Sequence, residues 1–183
     1  MRTHAQVQPL KAILTLFLRI SIAVLLLSLS AKVTVTLPNT PVPITFQVLA
    51  VLLLGLTLGS REAAASVGAY LVAIASGLPL DARGLGTAAF AGPTAGYLIA
   101  FLPAAALAGI GRGRGTWSAF AICCVSVLVI YIGGALVMLG FVGSWERAIA
   151  LGVAPFILAD FGKALLAVSL IRLGRALRIS WIM

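Results

Sequence analysis

Six apolar stretches follow one another along this chain, at about 12–36, 45–59, 63–77, 94–110, 117–140 and 153–173, with only short polar or Gly/Pro-rich breaks between them. A helix of ~20 apolar residues matches the ~30 Å hydrocarbon core of a bilayer. In that solvent a segment persists only if it satisfies its own backbone hydrogen bonds. The pattern therefore predicts an all-α membrane protein: a compact bundle of six transmembrane helices forming a single integral membrane domain over residues 1–183. With 62% hydrophobic and 9% charged residues, no stretch is left for a sizeable soluble domain. The formal charge of +9 would suit nucleic acid if the cations formed an aromatic-studded patch. They follow the helix ends instead, so the expected environment is the lipid bilayer, with no nucleic-acid partner.

With six crossings, both termini share a side with the second and fourth connections. Arg2, Lys11, Arg19, Arg61, Arg112, Arg114, Arg172, Arg175 and Arg178 fall on that side, against Arg83 and Arg147 on the other. The excess of cations in cytoplasmic connections makes both termini cytoplasmic. Lys32 and Lys163 then lie near the outer ends of their helices.

The breaks carry their own chemistry. Residues 37–44, LPNTPVPI, hold three prolines and cannot be helical. Ser60-Arg61-Glu62 reads as a turn, 78–93 as the longest loop, 111–115 as a basic turn, and Trp145-Glu146-Arg147 as a loop. Ser28-Leu29-Ser30-Ala31 resembles a signal-peptide cleavage site, but the apolar pattern resumes beyond it. Ala65, Ala69 and Ala73 form a small-residue stripe that would let another helix approach closely, within the chain or from another subunit. Cys123 and Cys124 are adjacent and have no metal-binding partners at suitable spacing, and His4 lies in the polar tail, so neither a metal nor a cofactor is expected.

The costly residues are Asp160 and Lys163, three positions apart on one face of the last apolar stretch. Each such charge at membrane depth costs ~2.5–3.5 kcal/mol on insertion scales, which calls for a polar neighbour or a ligand. The second, fourth and sixth stretches all begin on the outer side, with PVPITFQ, GPTAGY and APFILADFGK. Their N-termini would present free amide hydrogens and positive dipole ends to one outer region. The residues alone thus predict an outward pocket for a small molecule with an anion and hydrogen-bonding groups, under the loop that bears Arg83.

The chain resembles the BioY family, the biotin-capture subunits of bacterial transporters of the energy-coupling-factor type. The resemblance runs through Pro41-Val42-Pro43-Ile44-Thr45-Phe46-Gln47, Leu58-Gly59, Gly77-Leu78-Pro79, Gly92-Pro93-Thr94-Ala95-Gly96-Tyr97 and Pro155-Phe156 to Asp160 and Lys163, in family order from about residue 12 to 173. It implies a six-helix bundle in the bacterial inner membrane, biotin bound near the outer face, and assembly with a transmembrane coupling subunit and ATPase subunits. The loop 78–91 lacks the glycine-rich run after an aromatic residue associated with the family.

Under that resemblance Asp160 accepts from a ureido N–H, and Lys163 donates to the ureido oxygen or to the carboxylate. Gln47 and Thr45 offer uncharged hydrogen bonds or cap a helix, Tyr97 packs on the apolar ring or anchors at the interface, and Arg83 adds positive potential for the valerate. A capture subunit for another small anionic vitamin is the nearest alternative. An intramembrane enzyme would want a nucleophile with a base, a zinc motif or paired carboxylates, and four acids with one terminal His supply none of these. A channel would want polar residues along a whole path, whereas the inner halves of these stretches are apolar.

Overall fold

The computed structural model describes residues 4–177; Arg2 and Arg178, counted above in the charge asymmetry, lie outside them. Helix α1, His4–Lys32, gives way to a β-branched run, Val33-Thr34-Val35-Thr36, that favours extended backbone. The first helix therefore stops short of the expected residue 36. Strand β1 (Thr34–Val35) pairs antiparallel with β2 (Ile44–Thr45), matching Thr34 to Thr45 and Val35 to Ile44. The proline-bearing segment 36–43 is the loop of this wide hairpin.

Helices α2 (Gln47–Leu58) and α3 (Ser60–Ala75) are separated by Gly59 alone, at φ 83°. That conformation is open to glycine and strained for other residues, and it lets Ser60-Arg61-Glu62 be the first turn of α3 rather than the expected connecting turn. Helix α4, Ala95–Ile110, lies at the centre and packs on α2, α3 and α5. Small residues bring it close: a Cβ on Gly55 would stand 2.5 Å from the Cβ of Ala108, and one on Gly133 2.6 Å from the Cβ of Ala100.

Helix α5, Thr116–Val142, ends at Gly143 in the left-handed conformation. The segment expected as a loop at 145–147 is instead the start of a short helix, α6 (Trp145–Gly152). Its N-cap explains the difference: the Ser144 hydroxyl oxygen accepts from the Arg147 amide at 3.4 Å, and Glu146 sits in the first turn. A 3-10 turn, Ala154–Phe156, leads into α7, Ile157–Ala176, which begins later than the expected residue 153. Loop 76–94 folds back through a second 3-10 turn, Gly86–Ala91, with the Thr87 hydroxyl donating to the Ala75 carbonyl at 3.0 Å.

The outside of the bundle is apolar, with Phe17, Leu25, Ile132, Leu136 and Leu165 all exposed. Three helical stretches, Leu10–Lys32, Thr116–Val142 and Trp145–Ala176, are long and apolar enough to cross a membrane. Helices α2, α3 and α4, of 12, 16 and 16 residues, rise only about 18–24 Å each. Helices α2 and α4 are largely buried among their neighbours, whereas α3 keeps an exposed face that includes Val72. An exposed face of this extent is what an integral membrane protein presents to lipid.

Candidate functional site

A cleft enclosing about 660 Å³ of free space, its open mouth included, lies where the N-terminal ends of α2, α4 and α7 meet. Small-molecule sites are typically concave and mostly apolar with a few placed polar groups, as this cleft is. All six residues singled out from the sequence line it: Thr45, Gln47, Arg83, Tyr97, Asp160 and Lys163. Val42, Ile44, Leu98, Phe101, Ile130 and Phe156 supply its apolar wall.

Asp160 and Lys163 are at the first turns of α7, and the i,i+3 spacing brings their charges together at 2.7 Å. Asp160 is buried at 4% exposure, and the Lys163 side chain retains 11%. The second carboxylate oxygen accepts from the Tyr131 hydroxyl at 3.0 Å, and the ammonium also donates to the Thr45 carbonyl at 2.7 Å. A lysine has three N–H donors and a carboxylate about four lone-pair sites. One ammonium hydrogen and two acceptor positions therefore remain after these contacts. The pair is neutral as a unit, held rigidly from α5 and β2, and able to donate and accept at neighbouring points.

Gln47 is buried at the start of α2, where one side-chain N–H reaches the Tyr70 hydroxyl at 2.8 Å. Tyr70 in turn donates to the Leu80 carbonyl at 3.2 Å, which ties the cleft to the long loop. The amide oxygen of Gln47 is left for a ligand. Thr45 lines the cleft with one hydroxyl lone pair already used and its O–H free to donate. Its Oγ1 accepts from the Gln47 amide at 3.2 Å, and its carbonyl holds Lys163. The Tyr97 hydroxyl donates to the Gly152 carbonyl at 2.6 Å, with its ring packed over Gly134. Its ring face, rather than its hydroxyl, is what it can offer the cleft.

Arg83 stands at the mouth and donates through its guanidinium to the Pro41 carbonyl, closing the loop onto the proline-rich hairpin. The same loop is pinned from two further sides. Asp81, 3% exposed, accepts from the backbone amides of Arg83 at 3.0 Å and Gly86 at 2.9 Å. Lys32 donates to the Pro79 carbonyl at 2.9 Å and the Asp81 carbonyl at 2.7 Å.

Tyr131 and Asp81 escaped the sequence reading. Tyr131 sits inside an unbroken apolar run, where its hydroxyl stands out only once Asp160 is known to face it. Asp81 is one of four acids in the chain, and that scarcity was the available clue. Among the described residues no group of His, Cys, Asp and Glu side chains is arranged to hold a metal.

These features define a class: an integral membrane protein whose helix ends enclose a cleft for one small molecule bearing both donors and acceptors. Comparison with known proteins narrows this. The model of the BioY family matches residues 2–179, and the chain belongs to that family. It is 42% identical over 129 residues to a probable biotin transporter BioY of Pyrococcus horikoshii, covering 70% of this chain and 77% of the relative. It is 33% identical over 134 residues to the biotin transporter BioY of Thermotoga maritima, covering 72% and 79%. The fold matches the crystal structure of an S-component for biotin from an ECF-type ABC transporter, with a TM-score of 0.77 and 25% identity over 96% of this chain and 95% of that one. The family is one of transporter components, not of enzymes.

Proposed function

We propose that this chain captures biotin in the cleft and serves as the substrate-binding component of an ECF-type vitamin transporter in the cell membrane, the inner membrane of a bacterium. The observation that carries the reading is the Asp160–Lys163 pair, fixed by Tyr131 and Thr45 in the lining of the cleft. A ureido ring presents two N–H donors and a carbonyl acceptor in one plane. The residual acceptor capacity of Asp160 and the free N–H of Lys163 complement that pattern, and Gln47 adds a further acceptor. The Tyr97 ring and the Phe156 and Ile130 walls suit the sulfur ring and the methylenes of the tail. Arg83 at the mouth suits the carboxylate.

In this reading α1 to α5 and α7 are six crossings, with α6 on the outer surface and both termini cytoplasmic. The asymmetry of Arg61, Arg112, Arg114, Arg172 and Arg175 at one end against Arg83 and Arg147 at the other supports it. The sequence has no G-x-x-x-x-G-K-[ST] phosphate-binding motif, so energy for accumulation would come from a coupling subunit and its ATPases. Ala65 is exposed and Ala69 and Ala73 are half-buried on α3, which leaves that small-residue stripe accessible to a partner helix.

Equilibrium binding of labelled biotin to the purified protein, with other small anionic vitamins as competitors, tests the assignment. Saturable binding displaced by biotin alone supports it. Displacement by a different vitamin at lower concentration than biotin would reassign the substrate.

A further inference from the structure

At the end of the bundle away from the cleft, Arg114, Arg172 and Arg175 line one shallow surface recess together with Leu56, Ala119 and Val168. The chain has four acidic side chains, and none serves these arginines. Glu62 pairs with Arg19 at 3.3 Å and Asp160 with Lys163. Asp81 accepts loop amides at the cleft mouth, and Glu146 opens α6 at the far end of the 27-residue α5. That helix is about 40 Å long. Arg114 spends its Nε on the Ile110 carbonyl at 2.9 Å and keeps its terminal N–H groups. A charge bias toward the cytoplasm explains why cations lie at this end, but not why three guanidinium groups share one recess.

Ile171 also lines a second, apolar groove between α1, α2 and α7, enclosing about 810 Å³ of free space with its open side. Leu26, Leu53, Leu54, Leu170 and Leu173 form its walls. Among the described residues the one hydroxyl lining it, on Thr57, is spent on the Leu53 carbonyl at 2.7 Å. We propose that recess and groove together bind an anionic phospholipid, its phosphate held by Arg114, Arg172 and Arg175 and one acyl chain lying along the groove. Guanidinium groups match phosphate oxygens in pairs. A bare phosphate would leave the groove unused, and an extended peptide would bring backbone amides to walls that offer no hydrogen bonds. An acyl chain needs none. This site is separate from the biotin cleft and does not depend on it.

The test is native mass spectrometry of the full-length protein in detergent with dioleoyl phosphatidylglycerol or dioleoyl phosphatidylcholine. Each arginine near an anionic surface contributes about fivefold, so the anionic lipid should be retained at least tenfold better. Arg172→Gln with Arg175→Gln should cut that preference to about fivefold, the share of the remaining Arg114. Arg61→Gln, at the same end but outside the recess, should preserve it. A dihexanoyl phosphatidylglycerol should bind more weakly than the dioleoyl form if the groove holds a chain. Should the double variant fail to fold, the preference of the parent should still fall with added salt. Equal retention of the two headgroups, an unchanged preference in the folded double variant, or a salt-independent preference would overturn the proposal. So would full displacement by inorganic phosphate, or occupation of the recess by poly-glutamate in place of lipid.

Discussion

Replacing Asp160 by Asn keeps the size of the side chain and removes its charge. The Lys163 ammonium, 11% exposed, then keeps the Thr45 carbonyl and loses a 2.7 Å charge-assisted partner. Truncating one member of a buried, hydrogen-bonded charge pair costs about 2–5 kcal/mol. The cleft is open at its mouth, so water reaches Lys163 and the lower part of that range applies, about 2–3 kcal/mol or roughly 30- to 150-fold in an equilibrium constant. The cost can fall on folding or on biotin binding, and the two are separable. Adding Lys163→Met to Asp160→Asn removes the orphaned cation and should recover most of the lost thermal stability, since an apolar replacement of a buried pair is often neutral. Biotin affinity should stay at least tenfold below that of the parent, because neither the acceptor charge nor the ammonium donor returns. Thermal unfolding and equilibrium binding on the parent, the single variant and the double variant supply both numbers. Parental affinity in the double variant would refute the role given to this pair.

Tyr131→Phe deletes the buried hydrogen bond to the second carboxylate oxygen, worth about 1.5–3 kcal/mol for a charged acceptor, and should both lower the unfolding temperature and weaken biotin binding about tenfold. Gly134→Ala drives a methyl into the Tyr97 ring and should destabilise the protein by about 1–3 kcal/mol through overpacking, read as a lower midpoint in a thermal melt. Arg83→Ala should weaken biotin more than a biotin amide, which lacks the anion; equal losses for both would rule out a charge-specific role. Vesicles holding only this protein should equilibrate biotin without concentrating it, and accumulation without ATP or added subunits would contradict the need for a partner.

Much of the site was legible in the sequence because membrane depth makes polarity conspicuous. Asp160 and Lys163 stood out by cost, and the three polar helix starts converge as their shared side implied. What could not be read was set by short-range geometry. Residues 145–147 read as a loop because Trp145-Glu146-Arg147 breaks the apolar pattern, yet a Ser144 cap makes them the start of a helix. The turn after α2 shrank to one residue because Gly59 adopts a positive φ. Thr45 reads as a hydroxyl in one dimension, whereas its backbone carbonyl holds Lys163 from 118 positions away. Tyr131 is 29 positions from Asp160 in sequence, and that distance hid a partnership formed only when α5 packs on α7.

The most direct measurement is a crystal structure of this protein grown with biotin. The ureido ring should lie in the cleft with an N–H within ~3.2 Å of the Asp160 carboxylate and its oxygen within the same reach of Lys163, and the tail should point toward Arg83. Biotin bound in that cleft in the opposite sense, with its carboxylate on Lys163 and its ring at the mouth, or held anywhere else on the protein, would contradict the assignment of the Asp160–Lys163 pair as the ureido site.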